Sequence, residues 1–98
     1  MTAKSYFVYF LASRRYSTLY IGITNNLDRR LEQHRLGVGS SFVRQHRVFR
    51  LVYVERFEEP EAAIRREKQL KKWNRAWKIE LIEHSNPYWN DLFNEISQ

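Results

Sequence analysis

The stretch Leu19–His34, LYIGITNNLDRRLEQH, decides how this chain is read. Leu19 to Ile23 is a β-branched and aromatic run, the pattern of a strand. Asn25 follows as a helix cap, with Asp28 three residues on, close to a capping box. Gly37 supplies a stop at the far end of that helix. At about 100° per residue, Leu27, Arg30, Leu31 and His34 fall within one narrow arc. The leucines must face a core, so Arg30 and His34 face it too, or its edge. A chain of 98 residues has little core to spare for a guanidinium and an imidazole.

The surrounding sequence supplies the frame. Upstream, Tyr6 to Leu11 (YFVYFL) is a continuous apolar and aromatic run, which predicts a central strand buried on both faces. The polar ASRRYST turns the chain, so the two strands pair as a hairpin. Downstream, residues 38–49 read as a loop rich in Gly, Ser and basic side chains. Leu51 to Phe57 predicts a third strand. A second helix opens with Pro60 in its first turn and runs to about Trp77. A break there leads into KIELIEH as a third helix. Asn86 and Pro87 then start a last helix, whose apolar face is Tyr88, Trp89, Leu92, Phe93 and Ile96. The order predicts an α+β fold: a small, mostly antiparallel three-stranded sheet flanked by helices, in one domain spanning residues 1–98.

Composition narrows the function. Hydrophobic residues are 43% of the chain and aromatics 15%, enough for a packed core. Cysteine is absent, which excludes disulfides and thiolate metal sites. No apolar run is long enough to span a membrane, and the first residues lack the shape of a signal peptide, so a cytoplasmic location is expected. Lys and Arg number 17 against 11 acidic residues, a formal +6. That charge on a small domain fits a polyanionic partner, or serves solubility alone. The histidines 34, 46 and 84 lack zinc-ligand spacing. No protein partner is identifiable.

A second polar intrusion lies in the second helix. Ala63, Glu67, Leu70, Asn74 and Trp77 share one stripe, with Glu67 near its middle. An unpaired buried carboxylate costs several kcal/mol. The structural readings are an Arg30–Glu67 ion pair, which would offset that cost, or an Arg30 side chain that reaches out to solvent at the helix edge. Taken together, an Arg, a His and a Glu from two helices turned toward one sheet outline a polar pocket. Tyr9 and Tyr20 add phenols from the strands. Gly22 shares the face of Tyr20, and a glycine within a strand marks a close approach to its backbone.

These residues resemble a known family. FVY at 7–9, ten residues, then YIG at 20–22 resembles the paired signature of the GIY-YIG nucleases, with Phe7 standing where the name-giving glycine would be. Arg30 follows Tyr20 at the family's spacing, His34 lies one turn on, and Glu67 within AAIRREKQLKKW matches the glutamate that holds a divalent metal. REKQLKKWNRAWK followed by NPYW is similar to the small stand-alone bacterial members, and PYWN points to Asn90 as the family's late asparagine. The resemblance implies a metal-dependent endonuclease with Tyr9 as general base and Tyr20, Arg30 and His34 beside it. It also implies Mg²⁺ or Mn²⁺ on Glu67, and nucleic acid, DNA ahead of RNA, as partner. The alternative is a binding module of the same fold with weak or no turnover.

The chemistry of the residues agrees. Glu67 offers a hard oxygen to a divalent ion, and Arg30 a planar fork for phosphate. The segment GVGSSFVRQHRVFR mixes Phe42 and Phe49 with Arg44, His46, Arg47 and Arg50, a composition suited to holding a nucleic-acid strand. A second basic set, Arg65, Lys68, Lys72 and Arg75, lies opposite Glu67 and reads as a solvated face or, alternatively, as a separate phosphate-tracking surface. Trp73, Trp77, Trp89 and Phe93 read as core.

Overall fold

A computed structural model describes residues 4–38 and 40–93. The elements run β1 (Tyr6–Ala12), β2 (Leu19–Thr24), α1 (Leu27–Arg35), α2 (Ser41–His46), β3 (Arg50–Phe57), α3 (Pro60–Lys72) and α4 (Arg75–Ser85). The sheet is antiparallel throughout, in the order β2-β1-β3. The central place of β1 explains its unbroken apolar run, because alternate side chains enter opposite layers. Val8, Phe10 and Ala12 pack with Ala63 of α3, Leu70 of α3 and Ile82 of α4. Tyr9 and Leu11 pack with Leu27 and Leu31 of α1 and Val43 of α2. One helix pair therefore covers each face.

The turns are closed locally. Ser17 Oγ accepts from the backbone N–H groups of Ser13 and Arg14, which closes the β1–β2 hairpin. Arg75 at the start of α4 donates to the carbonyls of Tyr16 and Ser17 and ties that hairpin down. At the end of α1, Gly37 has φ +79°. Its N–H donates to His34 O, and that of Val38 to Gln33 O, the paired bonds of a Schellman stop.

Four expectations are corrected. The cap of α1 is Asn26, not Asn25: its side chain accepts from Arg29 N, while its own backbone is engaged by Thr24 Oγ1. The segment 38–49 is not all loop, because Ser40 caps the short helix α2, whose Val43 is buried. The second helix stops at Lys72, not near Trp77. Trp73 leaves helical geometry, and Asn74 caps α4 by accepting from Trp77 N.

The fourth concerns the last helix. Residues 86–92 form a strap along β3 instead of a helix. Asp91 Oδ1 accepts from Leu51 N, and Leu92 N donates to Leu51 O, so the strap satisfies backbone groups at the β3 edge. Asn86 does not cap a following helix: it is buried, donates to Val52 O and Asn90 O, and accepts from Asn90 N. Ile96 lies outside the described residues. Trp89 is buried, as expected of core, but Trp77 is 55% exposed. No described helix is long and apolar enough to cross a membrane.

Candidate active site

Tyr9 and Gly22 are directly opposed across β1 and β2. This pairing explains the glycine. A Cβ placed on Gly22 would lie 2.5 Å from both Cζ and the hydroxyl oxygen of Tyr9, and 3.0 Å from Cε2 of Tyr20. The group that approaches the strand backbone is thus the phenol of Tyr9, which lies across the space a side chain would fill. The hydroxyl of Tyr9 comes within 3.0 Å of His34 Nε2. Tyr20 stands beside both, its ring centroid 6.3 Å from that of Tyr9 and 5.5 Å from that of His34.

His34 is 2% exposed, and among the described residues its Nδ1 has no hydrogen-bond partner. Burial first, and then the nearby charge of Arg30, hold its pKa below the usual histidine range. Burial also dominates at Tyr9, pushing its phenol well above the usual tyrosine range. Tyr20 adds to that rise, and Arg30 opposes it. Arg30 is half-buried, and among the described residues no hydrogen bond or ion pair engages its guanidinium. It acts on the tyrosine and the histidine as an uncommitted positive charge.

The depressed proton affinity of His34 has a signature in stability. An unfolded chain protonates this histidine near pH 6.5, whereas the folded chain does so at lower pH. Between those points the unfolded state binds more protons, so stability declines as pH falls. Melting temperatures taken from about pH 7.5 down to about pH 5 should fall more steeply in the parent protein than in His34→Gln. Parallel curves would show that folding does not disfavour the imidazolium.

Glu67 reaches this group from the other layer. On α3 it lies between buried Ala63 and Leu70, as the stripe requires, and 15% of its side chain is exposed. Asn74 and Trp77 drop out of that stripe because α3 ends before them. Glu67 is near enough to raise the Tyr9 pKa by its charge. Its ion-pair partner is Lys71, with Nζ 3.2 Å from Oε2, rather than Arg30.

The polar residues therefore do not all face one side of the sheet. They come from opposite faces, with Glu67 within electrostatic reach of Tyr9, and Tyr20 carries the group to the free edge of β2. A groove of about 330 Å³ runs along that edge, lined by Leu19, Tyr20, Ile21, Phe42, Lys71 and Lys78. A larger cavity, about 510 Å³, opens by Phe7, Asn26, Leu27 and Arg56, and none of the clustered side chains lines it.

The basic residues of segment 38–49 and its neighbour have separate fates. Phe42 on α2 lies 6.0 Å from the Tyr20 ring and 4.3 Å from that of His46, extending the aromatic surface away from the cluster. Arg44 and Arg47 are exposed, and Arg44 donates to Gly37 O. Arg50 instead donates to Trp89 O and fastens the strap. Asn90 takes part in the strap through its backbone bonds to Asn86. Among Arg65, Lys68, Lys72 and Arg75, the first three are exposed on α3, while Arg75 holds the hairpin. Sequence reasoning overlooked Lys71 and Lys78. The visible signal for Lys71 was its spacing, four residues beyond Glu67 on the same helical face.

Comparison with known proteins decides the family. The GIY-YIG catalytic domain matches residues 5–80, a span that holds Tyr9, Tyr20, Arg30, His34 and Glu67. The chain belongs to the GIY-YIG family. It is 38% identical over 80 residues to a UPF0213 protein of Natronomonas pharaonis, covering 82% of this chain and 93% of that one. It is 41% identical over 76 residues to a UPF0213 protein of Clostridium perfringens, covering 78% and 81%. The solution NMR structure of the UPF0213 protein BH0048 from Bacillus halodurans matches with a TM-score of 0.56 and 30% identity, over 89% of this chain and 92% of that one. GIY-YIG membership indicates a nuclease-type fold and nucleic-acid binding in general. Phe7, at the glycine position of the first motif, is half-buried beside the Tyr9 layer and takes no part in the polar cluster.

Proposed function

We propose that this GIY-YIG chain is a metal-dependent endonuclease that hydrolyses nucleic-acid phosphodiester bonds, with DNA the first substrate to test. Tyr9 is the general base, and Glu67 holds one Mg²⁺ or Mn²⁺. The observation that carries this reading is the convergence of Tyr9, Tyr20 and His34 within electrostatic reach of Arg30 and Glu67, with Tyr20 on the wall of the groove at the β2 edge.

The residues fit such an ion. Glu67 already holds a cation, the ammonium of Lys71. Among the described residues no cluster of three or more His, Cys, Asp or Glu could hold a metal. A single carboxylate suits Mg²⁺, which keeps several waters and accepts phosphate oxygens, and does not suit zinc. When bound, the ion supplies charge stabilisation at the phosphate and the leaving oxygen.

The protein's own groups handle the proton and the orientation. A phenol with a raised pKa does not rest as phenolate. The productive tautomer of His34 carries its proton on Nδ1 and accepts from the Tyr9 hydroxyl at Nε2. As Tyr9 removes a proton from the attacking water, its own proton passes to Nε2, and no free phenolate accumulates. Negative charge developing at the phosphate offsets the cation formed on His34. Arg30, uncommitted among the described residues, clamps a non-bridging phosphate oxygen. Tyr20 donates to the same water or phosphate and borders the groove through which the strand passes.

The test is Glu67→Gln, which keeps the shape and removes the charge. Metal-dependent cleavage should fall on the order of a thousandfold, while binding of a labelled oligonucleotide stays equal or tightens. Equal loss of cleavage and binding would assign Glu67 to structure and remove the metal from this reading.

A further inference from the structure

The Glu67–Lys71 pair is more than a helix-surface contact. Exposed i,i+4 pairs contribute little to stability. Glu67, however, is mostly buried between Ala63 and Leu70, and a carboxylate there needs a counter-charge. Arg30 does not bond to it. The cation in contact is the Lys71 ammonium, 3.2 Å from Oε2 on a side chain that is 53% exposed. That side chain also lines the β2-edge groove with Lys78, Tyr20 and Phe42. Lys78 Nζ is anchored at the same wall by donating to Lys71 O.

We propose, resting on the reading of Glu67 as metal ligand, that Lys71 is the placeholder cation at Glu67, displaced by the divalent ion and then free to meet a substrate phosphate in the groove. Two cations cannot share one carboxylate edge without repulsion, so metal and ammonium compete. A one-ligand site is weak, and a half-solvated ammonium is a real competitor for it. In the metal-free protein the same ammonium neutralises Glu67, which would otherwise repel an approaching phosphodiester. Lys71 therefore acts with opposite sign on two ligands: it weakens metal binding and supports metal-free nucleic-acid binding. It is a positioning residue for the cation site rather than a participant in proton transfer.

The experiment measures Mn²⁺ binding by electron paramagnetic resonance without nucleic acid, and fluorescent oligonucleotide binding in chelator. Parent protein, Lys71→Gln, Lys71→Arg, Lys78→Gln and Glu67→Gln are compared, with thermal unfolding as the folding control. Lys71→Gln should bind Mn²⁺ about three- to tenfold tighter and the oligonucleotide several-fold more weakly. Lys71→Arg should stay near the parent in both. Lys78→Gln should weaken only the oligonucleotide, and Glu67→Gln should lose Mn²⁺. If Mn²⁺ binding depends on Glu67 but is unchanged or weaker in Lys71→Gln, the placeholder role is overturned while Glu67 remains the metal ligand. If no variant binds Mn²⁺, Lys71→Gln included, the placeholder role falls together with the metal assignment.

Discussion

Tyr9→Phe should lower metal-dependent cleavage by about 10²- to 10⁴-fold, the range for removing a positioned general base. The substitution preserves the ring that lies against Gly22, so packing is nearly unchanged. It removes the hydroxyl 3.0 Å from His34 Nε2. Among the described residues, that leaves both nitrogens of a buried imidazole without partners, since Nδ1 already has none there. A cost of about 1–3 kcal/mol follows from the unsatisfied group. For a chain of this size each kcal/mol lowers the melting temperature by about 4–8 °C. Lost stability with retained cleavage would assign Tyr9 to packing alone. Lost cleavage with retained oligonucleotide affinity is the expected pattern.

Gly22→Ala should damage both folding and cleavage although it adds only a methyl group. The new Cβ would sit 2.5 Å from the end of the Tyr9 side chain. An exposed tyrosine would swing aside at little cost. Tyr9 is 1% exposed, packed among Leu11, Leu27 and Leu31, and bonded to His34 at its tip. Relief requires moving the ring or spreading β2 from β1, at about 1–3 kcal/mol. Any movement of the phenol by an ångström also costs about 10²-fold in rate, because the base leaves its attack position. Wild-type stability in Gly22→Ala would show that the site is looser than its contacts imply. The same variant with unimpaired cleavage would show that the place of Tyr9 does not control the rate.

Much of this arrangement was legible in the residues. The run YFVYFL gives a central strand because no polar position interrupts it, and β1 is buried on both faces. Gly37 ends α1 because the Schellman stop needs a residue at positive φ. Buried His34 and half-buried Arg30 follow from their spacing with Leu27 and Leu31. Periodicity could not say that Glu67 and His34 approach from opposite faces. Helical spacing fixes a residue's face on its own helix and is silent about which side of the sheet that helix covers. The route of residues 86–92 was hidden for a related reason. The apolar pattern of Trp89 and Leu92 fits a helix, but the unpaired β3 edge at Leu51 offers backbone bonds that the strap takes instead. Helix breaks at Asn26 and Asn74 turned on single side-chain caps, whose competition with neighbouring asparagine or tryptophan is settled only in three dimensions.

The most direct test is a cleavage panel of end-labelled linear, flapped and branched DNA and RNA, each with Mg²⁺, Mn²⁺ or chelator. Parent protein, Tyr9→Phe and Glu67→Gln are run side by side. The expected result is metal-dependent strand scission of at least one substrate by the parent protein, absent in chelator and reduced to background in both variants. Substrates that are bound but never cut above the chelator control, or cut equally well by Tyr9→Phe, would contradict it.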